Sequence, residues 1–82
     1  MSFAVYILQN LQGKRYVGHT DNLERRLFEH NNGFTGFTTN MGGSWELIYK
    51  EENIKTRSEA MKREKFFKTG KGRDFLKIIL QD

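Results

Sequence analysis

The chain has 82 residues, with 14 Lys and Arg against 10 Asp and Glu, no Cys and no Pro. This length allows one small domain with one core, spanning residues 1–82, and a hydrophobic content of 37% argues against wholesale disorder. The absence of Cys excludes disulfide bonds, thiolate metal sites and thiol nucleophiles. No apolar run approaches the roughly 20 residues of a membrane span, and the N-terminus has no basic region or cleavage site. We therefore expect a soluble, cytoplasmic protein.

The first elements along the chain are predicted to be two strands of a β-hairpin. Residues 3–8 are aromatic and β-branched, which is typical of a strand buried on both sides. Asn10 and Gly13 supply turn chemistry, and residues 15–19 then form the returning strand. A glycine on so short a strand, Gly18, indicates either a close approach of another group to the backbone or a bulge.

A helix and a long loop follow the hairpin. Asp21 and Glu24 have the spacing of a capping box, which predicts a helix over about 22–31. Residues 34–43 are rich in Gly and Thr, and they form a loop that is long for so small a domain. Such loops often carry function, so this segment is a candidate working surface.

The rest of the chain predicts one strand and two helices. Trp45, Leu47 and Tyr49 alternate with other residues, which favours a third strand. A second capping box begins at Thr56 and opens a helix that is predicted to end at Gly70. A short last helix carries an apolar stripe. Its members are Phe75, Leu76, Ile79 and Leu80. The order β-β-α-β-α-α predicts an α+β fold, a small three-stranded antiparallel sheet flanked by helices.

Helical periodicity singles out three polar side chains. Arg26 borders the apolar stripe of the first helix, whereas Arg25 is directed away from it, and His30 lies one turn after Arg26. Arg26 and His30 either act on one bound group or simply decorate the helix, with the arginine stem laid on the core. Glu64 falls within the only apolar arc of the second helix, where a carboxylate is costly unless it is paired or bound to a metal. Surface pairing with Lys68 is the alternative.

Positive charge is concentrated in residues 62–73, where six cations face Glu64 alone. They are Lys62, Arg63, Lys65, Lys68, Lys71 and Arg73. A basic stripe of this kind suits a nucleic-acid backbone, although charge alone is equally typical of a solvated helix face. The candidate nucleic-acid-binding residues are Lys62, Lys65, Lys68, Lys71 and Arg73.

These residues occur in the order and spacing of a known family. Val5-Tyr6-Ile7 and Tyr16-Val17-Gly18 resemble the two signature triplets of the GIY-YIG nuclease superfamily. Arg26, His30 and Glu64 match its helix arginine, its frequent His or Tyr partner and its single metal-binding glutamate. The resemblance covers nearly the whole chain, and it is closest to the short, stand-alone bacterial members.

The match to the family pattern is incomplete. Ala4 and Val5 stand where a glycine and an isoleucine would precede the first tyrosine, and Val17 replaces an isoleucine. His19 stands where several members carry a lysine after the glycine. The downstream asparagine of the family has no clear counterpart. Gly18 and His19 are therefore kept as supporting residues.

The resemblance implies hydrolysis of phosphodiester bonds in nucleic acid with one divalent ion. DNA is the favoured substrate, but the sequence itself does not distinguish DNA from RNA. Glu64 would hold Mg²⁺ (or Mn²⁺) and Arg26 would stabilise the developing negative charge. Tyr16 or neutral His30 would activate the attacking water, with Tyr6 in the same network. A free tyrosine titrates near about 10, so a tyrosine base needs nearby cations, and the choice stays open. We expect these five side chains to converge on one shallow concave face.

Three functions compete at this point. The first is a metal-dependent endonuclease that acts in repair or recombination. The second is a nucleic-acid-binding module that keeps the fold, cleaves poorly and serves a partner protein. The third is a small structural protein whose basic face only confers solubility. Oligomeric state and substrate structure do not follow from the sequence.

Overall fold

The computed structural model describes residues 2–31 and 45–80. The predicted loop over 34–43 lies outside the described residues. The elements are β1 (Phe3–Asn10), β2 (Arg15–Thr20), α1 (Leu23–Asn31), β3 (Trp45–Ile54), α2 (Arg57–Phe67) and α3 (Gly70–Leu80). The predicted α+β fold and the order β-β-α-β-α-α are confirmed. Within the described parts of the chain, no helix is both long and apolar enough to cross a bilayer.

The sheet has the strand order β2-β1-β3, with β1 antiparallel to both neighbours. As the central strand, β1 is buried from Ala4 to Leu8, as its apolar sequence predicts. Tyr6 lies opposite Gly18, and Val5 lies opposite His19. Because side chains alternate along a strand, these two pairs belong to opposite faces of the sheet. We call these faces the Tyr6 face and the Val5 face.

Each face carries its own small core. On the Val5 face, helices α2 and α3 pack against β1 through Ala60, Phe67 and Leu76. On the Tyr6 face, the central residues are Tyr6, Leu8 and Trp45. Helix α1 closes this second core with Leu23 and Leu27, the residues four apart on its apolar stripe.

Strand β3 departs from the simple alternation of its sequence. Leu8 pairs with Leu47 and Ile7 pairs with Tyr49, so Ile48 is an extra residue in the ladder. The bulge transfers Tyr49 to the Val5 face, where its ring packs on Phe67 at 5.7 Å between centroids. Alternation of Trp45, Leu47 and Tyr49 therefore predicts the strand correctly but not a common face.

The helix ends differ in part from their predicted positions. Asn22, not Asp21, caps α1, because its Oδ1 accepts a hydrogen bond from the Arg25 amide at 3.1 Å. Thr56 caps α2 as predicted, accepting from the Glu59 amide at 3.1 Å. Helix α2 ends at Phe67, and Gly70 begins α3 instead of terminating α2.

Helix α3 packs unusually closely on the end of α2. A Cβ atom added at Gly72 would lie 2.1 Å from the Phe66 carbonyl oxygen and 2.6 Å from the Phe67 Cα. Glycine at this position is therefore required by backbone approach, not by conformation. Of the predicted apolar stripe, Leu76 is buried, whereas Ile79 is 40% exposed and lies at the margin.

Candidate active site

A buried tyrosine and a buried histidine form the centre of the Tyr6 face. The Tyr6 hydroxyl lies 3.0 Å from Nε2 of His30, and the two residues are 0% and 2% exposed. The Tyr16 ring closes the cluster, with its centroid 6.1 Å from the Tyr6 ring and 4.7 Å from the His30 ring. These packed rings hold the hydroxyl and the imidazole in one arrangement.

The protonation of this pair follows from its burial. Burial, and secondarily Tyr16, raises the pKa of Tyr6 to about 12, although Arg26 opposes the shift. Burial and the positive charge of Arg26 lower the pKa of His30. Both shifts favour the neutral forms of Tyr6 and His30, which share the hydrogen bond between the hydroxyl and Nε2.

Gly18 provides the room for the Tyr6 hydroxyl. A Cβ atom added at Gly18 would stand 2.6 Å from the Tyr6 hydroxyl oxygen and 3.0 Å from Cε1 of Tyr16. Of the two interpretations of this glycine, close approach of another group is the correct one, because β1 and β2 pair here without a bulge.

Arg26 borders the cluster from α1. Its side chain is 34% exposed, against 59% for Arg25, so the predicted orientations of the two arginines are confirmed. Its Nη1 donates to Glu29 at 3.2 Å. Burial works against its positive charge, but a hydrogen bond with Tyr6 outweighs this effect and raises the pKa of Arg26. The guanidinium thus extends from the aromatic cluster to the surface with its charge intact.

Two partners hold the Glu64 carboxylate on the Val5 face, the imidazole of His19 and the ammonium group of Lys68. Its Oε1 lies 2.7 Å from Nδ1 of His19 and its Oε2 accepts from Nζ of Lys68 at 2.9 Å. Burial raises the pKa of Glu64, but the hydrogen bonds from His19 and Lys68 outweigh this effect, so the carboxyl titrates below its usual range. The surface pair with Lys68 is therefore real, and His19 is the further partner that the sequence did not indicate.

His19 connects Glu64 to a third arginine. Its Nε2 lies 3.4 Å from Nη1 of Arg57, which begins α2. Since arginine can only donate, Nε2 is the acceptor, and the imidazole proton resides on Nδ1 and is donated to Glu64. His19 therefore stands between a guanidinium and a carboxylate and fixes the position of both.

The five predicted catalytic residues fall into two contact groups, and their convergence on one concave face stays a prediction. Tyr6, Tyr16 and His30 lie on the Tyr6 face with Arg26 beside them, whereas Glu64 contacts the Val5 face. The reason is the alternation of β2, in which the adjacent residues Gly18 and His19 point to opposite sides.

The two groups nevertheless meet around the C-terminal end of β2. A pocket of about 390 Å³ opens there and takes its lining from β2, the β2–α1 turn, α1 and α2. The lining residues are His19, Thr20, Asp21, Arg25, Arg26 and Arg57. Arg26, which borders the aromatic cluster, lines this pocket. His19, which binds Glu64, lines it as well. The site therefore wraps around the end of a strand rather than covering a face.

Glu64 suits a divalent ion that needs few protein ligands. The described residues contain no group of three or more His, Cys, Asp or Glu that would form a closed metal cage. Mg²⁺ is typically held by one or two carboxylates and several waters. Among residues 2–31 and 45–80, the partner of Oε2 of Glu64 is Lys68, whose side chain is 55% exposed and can be displaced. The donor set therefore fits Mg²⁺ or Mn²⁺, with His19 retained on the other oxygen.

The predicted basic stripe is divided by the structure. All five of its candidate binding residues are exposed. Arg63, by contrast, is structural: it forms two hydrogen bonds to Glu51, at 2.7 and 2.9 Å, and stacks on the rings of Phe66 and Phe67. Lys68 and Arg73 line a cavity together with Arg15.

Three arginines near the site were not selected by sequence reasoning. They are Arg15, Arg25 and Arg57. Arg57 precedes Glu64 by seven residues, which is two helical turns, so helical spacing alone could have placed it on the same side of α2. Arg15, Val17 and His19 alternate along β2, so strand periodicity could have placed Arg15 on the same face as His19.

Comparisons with known proteins agree with this architecture. The architecture is a small α+β domain. Its hairpin carries two tyrosines, α1 carries an arginine and α2 carries a glutamate. The GIY-YIG catalytic domain model matches residues 2–76. The chain belongs to the GIY-YIG nuclease family.

Similar relatives include small proteins of comparable length. A UPF0213 protein of Staphylococcus saprophyticus is 36% identical over 75 residues, covering 92% of this chain and 90% of its own. A UPF0213 protein of Staphylococcus epidermidis is 37% identical with the same coverage. The solution NMR structure of a UPF0213 protein of Bacillus halodurans matches with a TM-score of 0.58 at 27% identity, covering 96% of this chain and 85% of that chain.

Proposed function

We propose that this protein is a divalent-metal-dependent endonuclease that hydrolyses phosphodiester bonds in DNA. One observation carries the proposal. Around the end of β2, the pocket joins an arginine of the buried tyrosine–histidine cluster to the histidine that holds the only carboxylate of the candidate catalytic set. This combination places cations for a phosphate beside His19, whose partner Glu64 is the candidate ligand for a divalent ion.

The pocket is built to hold a phosphate. Arg25 and Arg26 approach it from α1 and Arg57 approaches it from α2. Guanidinium groups bind phosphate oxygens through paired N–H donors, and they stabilise negative charge as it develops. Arg26 is the one among them that is anchored to the aromatic cluster, and we assign it the stabilisation of the transition state.

The geometry favours Tyr16 over His30 as the group that orients the attacking water. Nε2 of His30 is already engaged with the Tyr6 hydroxyl, and the residue is 2% exposed. Tyr16, on the edge strand, is only partly buried. His30 and Tyr6 then act as positioning residues that fix Tyr16 and Arg26.

Glu64 is the residue that would hold the metal. A bound divalent ion supplies polarisation of the phosphoryl oxygen and offsets charge on the leaving group. With the ion bound, Glu64 would keep the hydrogen bond from His19 and give up the Lys68 ammonium, which would then turn toward solvent or substrate.

The test is a cleavage panel over single-stranded, duplex, flap and branched substrates in both DNA and RNA, with Mg²⁺ or Mn²⁺. We expect metal-dependent cleavage of at least one DNA substrate. A wild-type protein that binds tightly but cleaves nothing with either ion is instead a nucleic-acid-binding module. Cleavage of RNA alone would contradict the assignment to DNA.

A matched pair of variants then tests the metal ligand. Glu64→Gln is nearly isosteric and removes the charge that holds the metal, so cleavage should be abolished while binding to nucleic acid is retained or strengthened. Glu59→Gln removes an exposed carboxylate from the same helix and should leave cleavage unchanged. If Glu64→Gln cut as fast as wild type, the metal would have to be placed elsewhere.

A further inference from the structure

A second cationic cavity lies at the other end of β2. It has a volume of about 250 Å³, and its charged rim comes from three elements: Arg15 of β2, Lys68 after α2, and Arg73 of α3. Its floor is apolar and includes Val17, Phe67 and Leu76. No carboxylate belongs to the described residues that line it. We call this cavity the Arg15 groove.

An apolar floor below a cationic rim matches a nucleotide unit. Phosphate oxygens bind arginine and lysine at the rim, and the sugar or base covers apolar side chains. Three of the seven residues that line the groove are cations. Its chemistry therefore selects a polyanionic strand over a neutral ligand.

The groove is continuous with the candidate active site along one strand. Arg15, Val17 and His19 alternate on the Val5 face of β2, so Arg15 precedes His19 by about 13 Å at the usual rise of about 3.3 Å per residue. Lys68 bridges the two regions, because it lines the groove and also binds Glu64.

We propose that the Arg15 groove binds a second phosphate of the substrate strand, with its sugar and base, within a few nucleotides of the phosphate that is cleaved. The proposal deepens the proposed function and rests on it for the position of the cleaved phosphate. It also sets the path of the strand, which runs along β2 from the Arg15 groove to the pocket at Thr20.

Two contacts hold the rim in position. Arg15 donates from Nε to Oε1 of Gln9 at 2.9 Å, which directs its guanidinium across the hairpin. The close approach at Gly72 brings the first turn of α3, with Arg73, against the end of α2. The hairpin thus positions Arg15, and the packing of α3 on α2 positions Arg73.

The affinity test uses fluorescein-labelled single-stranded DNA of about 12 nucleotides, without divalent metal, over a salt series. Arg15→Ala should weaken binding roughly tenfold and flatten the slope of log K against log salt by about 0.7. Lys14→Ala is the matched control, because it removes the same charge from the neighbouring residue, which does not line the groove. It should weaken binding less than about twofold. Equal effects of the two variants would overturn the proposal.

Direct localisation uses NMR amide shifts of the wild-type protein during titration with the deoxydinucleotide d(pTpT). We expect shifts at Val17, Phe67 and Leu76. Shifts confined to the pocket at the other end of β2 would overturn the groove and leave the nuclease proposal intact. Groove shifts in a protein that cleaves no substrate would keep the groove and remove the nuclease proposal.

Discussion

The two sides of β2 hold their functional side chains in different ways. On the Tyr6 face, the hydroxyl of Tyr6 and the imidazole of His30 are fully enclosed, and their hydrogen bond has no access to solvent. On the Val5 face, the Glu64 carboxylate is 19% exposed, and one of its partners is a lysine that is 55% exposed. One side is fixed by packing, and the other is held by contacts that water and ions can replace.

This difference assigns different tasks to the two sides. Buried rings maintain geometry, which orientation of an attacking group requires. A partly exposed carboxylate can exchange a cation, which binding and release of a metal require. Damage to the first side should therefore lower both stability and rate, whereas changes on the second should alter metal dependence at little cost in stability.

The largest effect is expected where the two sides meet. Arg26→Ala removes the guanidinium that links the aromatic cluster to the pocket, and cleavage should fall by about three powers of ten with a modest loss of binding. Arg25→Ala removes an arginine that is directed away from the cluster and should cost less than about tenfold. Single-turnover rates and affinities of both variants test this order. Equal losses would remove the special role of Arg26.

The next effect separates packing from chemistry on the buried side. Tyr6→Phe leaves Nε2 of His30 without its hydroxyl partner and should destabilise the fold by about 1–3 kcal/mol, while slowing cleavage by at least about tenfold. Tyr49→Phe is the control, because it also removes a hydrogen-bonded hydroxyl, in this case one that donates to the Glu51 carboxylate outside the site. Urea unfolding should show a loss in both variants, and cleavage should fall in Tyr6→Phe alone. A Tyr6→Phe enzyme of normal rate would reduce the cluster to a structural role.

A smaller effect concerns acid stability. The pKa of His30 is lowered by burial and by Arg26, so the folded state favours neutral imidazole. The stabilising contribution is complete above the unfolded pKa of about 6.5, and it is lost as pH falls through the folded value. Urea unfolding at pH 7.5 and pH 5 should show a decline in wild type that is reduced in His30→Gln. Glu51 and Glu64 also have lowered pKa values, but both residues are present in wild type and in the variant. Their contributions therefore cancel when the two declines in stability are subtracted. Parallel declines would show that His30 is not the group responsible.

The smallest effect tests exchange on the exposed side. Lys68→Ala removes the ammonium that competes for Oε2 of Glu64, and Mn²⁺ binding without nucleic acid should tighten by about two- to threefold, because an exposed ion pair contributes only a few tenths of a kcal/mol. Electron paramagnetic resonance of free Mn²⁺ measures this directly. Lys62→Ala, on the far side of α2, serves as the control. Weaker Mn²⁺ binding in Lys68→Ala would contradict the exchange.

The fold and about half of the candidate site could be predicted from local patterns in the sequence. Helical spacing separated Arg26 from Arg25, because it depends only on neighbours along the chain. The pairing of His19 with Glu64 joins residues 45 apart in sequence, and it depends on how α2 packs across the sheet. The bulge at Ile48 likewise depends on a partner strand, so alternation within β3 could not reveal it.

The close packing at Gly72 has a consequence for folding. Helix α3 begins with two glycines within its first three residues, and each costs about 1 kcal/mol of helix stability relative to alanine. Tertiary contact with α2, not intrinsic propensity, therefore maintains this helix. Because Arg73 lies on it, a ligand that holds Arg73 also holds the C-terminal segment in its folded state. Ligand affinity and the thermal midpoint of this segment are thermodynamically linked, and each should rise with the other.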